Sequence, residues 1–356
     1  MPADRATMSP SRCGRRDRRL VLAVLAVPVL LVGCGVSAPT VQPTVTVTQT
    51  SGSSGSASAS QTPAPAARPG IAAVTTAGAL VLIDPATGNI TRTLVSGGVT
   101  GGEIAASPDG SVIYFAQGAG CRPAIEKIPA AGGTPAAVVT GSLPAISPDG
   151  TKLAYASEPS PVNQNCFAST SAKVVVRSLQ TGAEQVFPLP PSVRTSALPL
   201  PVSYLSWAPD GTRLAVSTAA VQDNEGWGLD IVDTRTARYY LPGPGVINVP
   251  PTGSPTPRRS YIRQGVFLPD GNLFISRACC GGFPVRNTSR LIWEVTTTGA
   301  FVHQVALGYP TLDHTSLAVS STGRWLLYLA GHDLYVSENG ARPSKLASGL
   351  IAATWL

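Results

Sequence analysis

Charged side chains are scarce in this chain. Asp, Glu, Lys and Arg make up only 13% of the 356 residues, and the formal net charge of +7 is unevenly placed. Six arginines and two aspartates lie within the first 33 residues, and no basic run follows them. This scarcity excludes the basic stripe typical of nucleic-acid-binding proteins. Glycine and proline are abundant instead, with 36 and 33 residues, which favours many short strands and turns over long helices.

Residues that commonly carry catalysis or bind metals are also few. The sequence has three histidines, and no two of them stand at metal-ligand spacing: His303, His314 and His332. No Gly-x-Ser-x-Gly motif occurs in residues 69–356, and no Cys-x-x-Cys pair occurs anywhere. We therefore expect a protein that is not an enzyme, with no cofactor and no metal site.

Residues 1–34 have the order of an export signal. A basic stretch, "RCGRRDRR" at 12–19, precedes thirteen apolar residues at 20–32, too few to span a membrane. "LVGC", ending at Cys34, resembles the lipobox of bacterial lipoproteins. The resemblance implies that Cys34 is acylated and anchors the protein outside the cytoplasmic membrane. Secretion without acylation is the alternative, and the general and twin-arginine export routes both stay open.

Residues 35–68 separate this signal from the rest of the chain. They are rich in Ser, Thr, Pro and Ala and carry no charge before Arg68. Such a composition cannot bury a core, so we predict a disordered linker that tethers a folded domain formed by residues 69–356.

One tetrapeptide recurs between short apolar runs in the folded region. "SPDG" stands at 107–110 and 147–150, "APDG" at 208–211, "LPDG" at 268–271 and a diverged "SSTG" at 320–323. Pro presets the backbone for a turn, Asp tolerates the next position, and Gly accepts a left-handed conformation. The tetrapeptide is thus predicted to be a hairpin turn, with a structural role for its aspartates Asp109, Asp149, Asp210 and Asp270.

A second hairpin follows each turn, which gives four strands per unit. Repeated four-stranded units are typical of a β-propeller. Five units carry the tetrapeptide, whereas the first hairpin, at 79–95, lacks its innermost strand. The C-terminal "LIAATWL" places Trp355 in the column of Trp207 and Phe267. The sequence therefore predicts an all-β, six-bladed propeller of four-stranded antiparallel blades, the first blade closed by the C-terminal strand.

The "SPDG" repeats, with "SWAPDG" at 206–211, resemble the WD-repeat-like propeller repeats of the TolB family across residues 69–356. The resemblance implies an extracytoplasmic protein-binding module whose partner is another envelope protein or a peptide. It departs from that family at the N-terminus, where signal and linker replace TolB's extra domain, so the partner's identity is in doubt. We expect a monomer.

Strand direction sorts the connections onto two ends of the ring. We name the end with the tight turns the turn face, and the opposite end the long-loop face. The insertions at 157–172, 188–202, 218–228, 241–260 and 277–290 all fall on the long-loop face. Function concentrates on loops held by a rigid scaffold, so this is the predicted binding face. Its candidate residues are Phe167, Trp227, Arg277, Phe283 and Arg286.

The remaining cysteines lie in loops of the same face. An exported chain permits disulfides. Cys121 and Cys166 belong to adjacent blades, so we predict that they pair. Cys279 and Cys280 then form a strained vicinal disulfide or remain thiols.

Two other functions stay open as alternatives. A propeller hydrolase or lactonase would place its site at the channel mouth, where the inner strands offer mainly Glu103 and Gln264. A glycan-binding propeller would use Asp223 and Glu225 near Trp227. The sequence favours a non-enzymatic binding or scaffold module and leaves the ligand unidentified.

Overall fold

The computed structural model describes residues 68–100, 103–118, 123–157, 173–187, 202–218, 228–240, 261–278, 292–305 and 314–356. These residues form 24 strands in six antiparallel sheets of four, and none forms a helix long and apolar enough to cross a membrane. The predicted six-bladed propeller is confirmed. The signal, the linker up to residue 67 and all six cysteines lie outside the described residues.

Each blade takes its strands from one continuous stretch, except the first. Blade 1 contains β1 (Ile71–Thr75), β2 (Leu80–Ile83), β3 (Ile90–Val95) and, from the end of the chain, β24 (Leu350–Trp355). Blade 2 contains β4 (Ala105–Ala106), β5 (Val112–Gln117), β6 (Ala124–Pro129) and β7 (Ala136–Thr140). Blade 3 contains β8 (Ser142–Ile146), β9 (Lys152–Ala156), β10 (Val174–Ser178) and β11 (Glu184–Phe187).

The other three blades follow the same order. Blade 4 contains β12 (Val202–Trp207), β13 (Arg213–Thr218), β14 (Gly228–Asp233) and β15 (Arg238–Tyr240). Blade 5 contains β16 (Tyr261–Phe267), β17 (Leu273–Ala278), β18 (Ile292–Val295) and β19 (Phe301–Gln304). Blade 6 contains β20 (His314–Val319), β21 (Trp325–Ala330), β22 (Asp333–Glu338) and β23 (Ser344–Ser348).

The strands β24, β4, β8, β12, β16 and β20 form the inside of the ring. Each contacts the corresponding strand of the next blade, and β20 contacts β24 to complete the circle. Apolar side chains fill the spaces between successive blades, where Leu205 and Trp207 of blade 4, for example, pack with Phe187 of blade 3. The core is therefore a set of layers between blades rather than one central cluster.

The C-terminal strand closes blade 1, as predicted. β24 pairs antiparallel with β1 in a register that sets Ile71 opposite Trp355. The Trp355 Nε1–H donates to the carbonyl oxygen of Ala318 in blade 6 at 3.1 Å. Trp207 of blade 4 makes the equivalent contact with the preceding blade, because its Nε1–H donates to the carbonyl oxygen of Ala145 in blade 3 at 3.0 Å. The two tryptophans thus occupy equivalent positions, which confirms the register read from the sequence.

The repeated tetrapeptides form the turns between the first and second strands. Asp109 accepts hydrogen bonds from the Ser107 hydroxyl at 2.6 Å and from the Ser111 amide at 3.1 Å. These hydrogen bonds lower the pKa of Asp109 to about 2, and the bond from the Ser107 hydroxyl has the largest effect. Gly110 has φ of +70°, the left-handed conformation that glycine adopts freely. Within this turn, the aspartate holds the backbone.

Contacts between successive turns give a further reason for the repeat. A Cβ atom on Gly150 would lie 3.4 Å from Cδ of Pro108, one blade earlier, and one on Gly323 would lie 3.1 Å from Cδ of Pro269. A proline of one turn therefore packs against the bare glycine of the next. These tetrapeptides serve as joints between blades.

Candidate functional site

One position on the inner strands brings polar side chains together at the centre of the ring. It lies three residues before the column of Trp207 and Trp355. The six blades place these residues there, from blade 1 to blade 6: Ala352, Glu103, Leu143, Tyr204, Gln264 and Ser316. Four of the six are polar, and they come from four different blades. We call Glu103, Tyr204, Gln264 and Ser316 the channel cluster.

Glu103 connects opposite sides of the ring. Its Oε1 accepts a hydrogen bond from Nε2 of Gln264 at 2.6 Å, although blades 2 and 5 face each other across the channel. Its Oε2 accepts from the Ser316 hydroxyl of blade 6 at 3.1 Å. Gln264 in turn accepts from the Leu317 amide at 3.1 Å and is 4% exposed. The cluster therefore links three blades through one carboxylate.

Tyr204 completes the cluster from blade 4. Its hydroxyl donates to the Leu317 carbonyl oxygen at 2.6 Å. Burial, with a smaller contribution from the negative charge of Glu103, raises the pKa of Tyr204 well above 10. The phenol thus stays protonated at physiological pH and acts as a hydrogen-bond donor.

β-Bulges occur beside this position and help direct these side chains. The pairing register shifts between Val202 and Tyr204 on β12, between Ile262 and Gln264 on β16, and between Thr315 and Ala318 on β20. A bulge inserts one extra residue and re-aims the neighbouring side chains. Ser316 also has φ of +49°, an uncommon conformation for a residue other than glycine.

The cluster lies toward the long-loop face. Thr218, the last residue before the connection 219–227, pairs with Val202 at the start of β12. Ala156 likewise pairs with Ser142, and Ala278 with Tyr261. The residues of the channel cluster stand near the starts of the inner strands. They therefore lie toward the end of the ring at which the long connections leave the blades.

Most of the residues predicted for the binding face cannot be placed. Phe167, Trp227, Phe283 and Arg286 lie outside the described residues, as do the four cysteines of the predicted pairs and Cys34. Arg277 is paired with Ile262 near the end of β17, at the long-loop face, but only its backbone is described. These assignments stay predictions.

The sequence reading singled out two members of the channel cluster and missed two. It named Glu103 and Gln264 as inner-strand residues, and the structure bonds them to each other. Tyr204 and Ser316 were missed because each stands in a mostly apolar strand segment and no local motif marks either residue. The available signal was the column itself, since the position four residues before the tetrapeptide is polar in four blades.

The histidines whose contacts are described lie apart from the channel cluster. His303 Nδ1 is 3.3 Å from Oε2 of Glu294 on the neighbouring strand, and His332 Nδ1 is 3.0 Å from the Leu350 carbonyl oxygen. In the described part of the chain, no three His, Cys, Asp or Glu side chains gather where they could hold a metal ion.

Comparison with known proteins adds information on the fold. No family model matches the sequence, and no curated protein matches it. Among solved structures, TolB from Acinetobacter baumannii is similar, with a TM-score of 0.56 and 15% identity over 80% of this chain and 65% of that one. A putative TolB from Agrobacterium tumefaciens has a TM-score of 0.50 and 14% identity over 78% of this chain and 88% of that one. These similarities establish the fold alone.

The channel cluster is expected to stabilise the ring. Changing Glu103 to Ala removes the acceptor of Gln264 Nε2 and of the Ser316 hydroxyl. Leaving two buried donors without this partner should lower the free energy of unfolding by about 2–4 kcal/mol. Chemical denaturation followed by tryptophan fluorescence measures the loss.

Glu126→Ala serves as the matched control, since Glu126 lies on β6, away from the inner strands. Glu126 is half-buried, and we expect this change to cost about 1 kcal/mol or less. Equal stability of the two variants would show that the cross-channel bonds do not support the ring.

Proposed function

We propose that this chain is an exported, lipid-anchored β-propeller that binds another envelope protein through its long-loop face, without catalysing a reaction. The observation that carries the proposal is the asymmetry of the ring. Connections on the turn face contain at most six residues, whereas those at the other end reach 20 residues, at 241–260. A rigid ring that carries its long segments at one end is the usual arrangement of a binding scaffold.

The contacts of the channel cluster point to a structural rather than a catalytic role for Glu103. Both carboxylate oxygens of Glu103 accept hydrogen bonds from neutral side chains, Gln264 and Ser316. A general acid or base must reach the proton that it transfers, and here the carboxylate is engaged within the ring. The similarity to TolB propellers fits a binding scaffold without identifying a partner.

Aromatic and arginine residues of the long loops are the proposed anchors. Such side chains dominate interfaces, because they bury large areas or make bidentate contacts at little entropic cost. Trp227→Ala and Phe283→Ala should each weaken partner capture by at least about 2 kcal/mol, roughly thirtyfold in affinity, with little change in melting temperature. Recovery of the partner from crosslinked cells, identified by mass spectrometry, measures the effect.

Asp109→Ala on the turn face is the matched control. It removes the acceptor of the turn's hydrogen bonds and should reduce stability more than capture. If capture survives both aromatic substitutions and falls with Asp109→Ala, the assignment of the binding face is inverted.

The lipid anchor is tested separately. Cys34 is the acylation site that the lipobox-like "LVGC" implies. Cys34→Ala should move the protein from the membrane pellet to the soluble fraction, because one residue carries the attached chains. Retention of the variant in the pellet after a high-salt wash would contradict the anchor, while the proposal for the binding face would stand.

A further inference from the structure

The outermost strand of each blade has one edge that no other described strand pairs with. Such an edge presents a row of backbone N–H and C=O groups that can pair with a strand of another chain. Natural proteins commonly protect these edges with charged side chains, because a charge is costly to bury between two strands. The ionisable residues of the six outer strands therefore indicate which edges are protected.

Five of the six outer strands carry a charged or titratable side chain: Arg92 on β3, Glu184 on β11, Arg238 on β15, His303 on β19 and Lys345 on β23. The exception is β7 in blade 2, which reads Ala-Ala-Val-Val-Thr. A bulge interrupts the pairing of β7 with β6, but bulges also occur at the outer strands of blades 1, 5 and 6. The missing charge therefore distinguishes β7 from the other edges.

The side chains of β7 suit strand pairing. Ala136, Ala137 and Thr140 are exposed, whereas Val138 and Val139 are half-buried. Three of these five residues are β-branched, and such residues pack well on a pleated surface. The strand also contains no proline that would remove a backbone donor. An uncharged edge of this composition is a template for another strand.

The apolar character of this edge continues onto blade 3. Val139 of β7 belongs to an apolar cluster that also contains Val175 of β10. Val175 pairs with Val186 of β11, so the Val186 side chain lies on the side of blade 3 that faces blade 2. Val186 is nevertheless 52% exposed. The rim between blades 2 and 3 is therefore apolar on both sides.

A second copy of the chain fits this edge. Antiparallel pairing of β7 with itself about a two-fold axis sets Val138 opposite Val138 and Ala137 opposite Val139, so no charge meets a like charge. The same operation on any other outer strand would bring two copies of one charged or titratable side chain into a small interface. Self-association is thus least opposed by electrostatics at β7.

We propose that two copies of this chain associate by antiparallel pairing of β7, the outer strand of blade 2. Two paired strands of five residues bury less than the roughly 1,200 Å² of a stable interface, so the dissociation constant should be about 10–100 µM. The sequence alone led us to expect a monomer, whereas this edge predicts a reversible dimer at high concentration. The inference does not depend on what the long-loop face binds.

Sedimentation equilibrium of the full chain in detergent, from about 1 to 300 µM, tests the pairing because this range spans the expected dissociation constant. Ala137→Lys should weaken the dimer at least about tenfold, since the two lysines would be diagonal neighbours on one face of the joined sheet. Thr93→Lys is the matched control, because Thr93 is an exposed residue of the outer strand β3 in blade 1. It should leave the association unchanged.

A charge-swap experiment separates direct contact from an effect on folding. An equimolar mixture of Ala137→Lys and Ala137→Glu should recover the association, because opposite charges then lie close together across the interface. A folding defect in either variant would persist in the mixture. A chain that stays monomeric at about 300 µM would overturn the proposal. So would equal weakening by Thr93→Lys, or a mixture that remains as weak as Ala137→Lys alone.

Discussion

Removal of residues 350–356 is expected to abolish cooperative folding of the propeller. The deletion takes away β24, the inner strand of blade 1, and leaves the inner edge of β1 unpaired, while its other edge still pairs with β2. Four buried side chains are lost, those of Leu350, Ala352, Ala353 and Trp355. The two larger ones alone contribute about 1.5–3 kcal/mol each. The apolar surfaces that they cover in blades 1, 2 and 6 would also become exposed.

This loss is large against the stability of an ordinary domain, which is about 5–15 kcal/mol. The truncated chain should therefore show no sharp thermal transition by calorimetry or by circular dichroism. Trp355→Phe is the control, because it removes the hydrogen bond to Ala318 and keeps the strand. Phe267 occupies the same column naturally, so we expect a cost of only about 1–2 kcal/mol. A truncated protein that melts at the parent temperature would contradict closure by the C-terminal strand.

Gly88→Ala should be the most destabilising glycine substitution on the seam between blades 1 and 6. Gly88 has φ of +76°, and a Cβ atom there would lie 1.9 Å from the carbonyl oxygen of Leu346 on β23. Backbone atoms cannot move aside as a flexible side chain can, so the two blades would have to separate locally. We expect a loss of about 3–5 kcal/mol, of the size that overpacking and backbone strain produce together.

Gly349→Ala separates the clash from the backbone effect. Gly349 has nearly the same φ, +77°, and nothing lies within 4 Å of the position that a Cβ would occupy. Both substitutions restrict the unfolded chain equally, and both place an alanine in the left-handed backbone conformation, which costs about 1–2 kcal/mol. The difference between their free energies of unfolding in urea therefore reports contact between the blades. Two equal values would mean that the turn of blade 1 does not pack against blade 6.

The propeller was predictable because its repeat is local. Each "PDG" turn and its flanking apolar runs are readable within about a dozen residues, and Trp355 gave the register of the last strand. The bulges beside Tyr204, Gln264 and Ser316 were not predictable, since no proline or glycine marks all three. Their position depends on how neighbouring inner strands converge.

The channel cluster shows a limit of sequence reading. Glu103 and Gln264 were identified as inner-strand residues, but 161 positions separate them in sequence. Only the closed ring shows that they bond. Sites assembled from distant segments need the register of every blade, which composition and turn motifs do not supply.

The binding face is tested most directly by site-specific photocrosslinking in living cells. p-Benzoylphenylalanine replaces Trp227, the predicted anchor of the long-loop face, in one strain and the exposed Thr87 on the turn face in another. The account predicts a discrete adduct with an envelope protein from position 227, and an adduct at least about tenfold weaker from position 87, because rim and opposite-face positions contribute little to an interface. A strong adduct from position 87, with none from position 227, would contradict it.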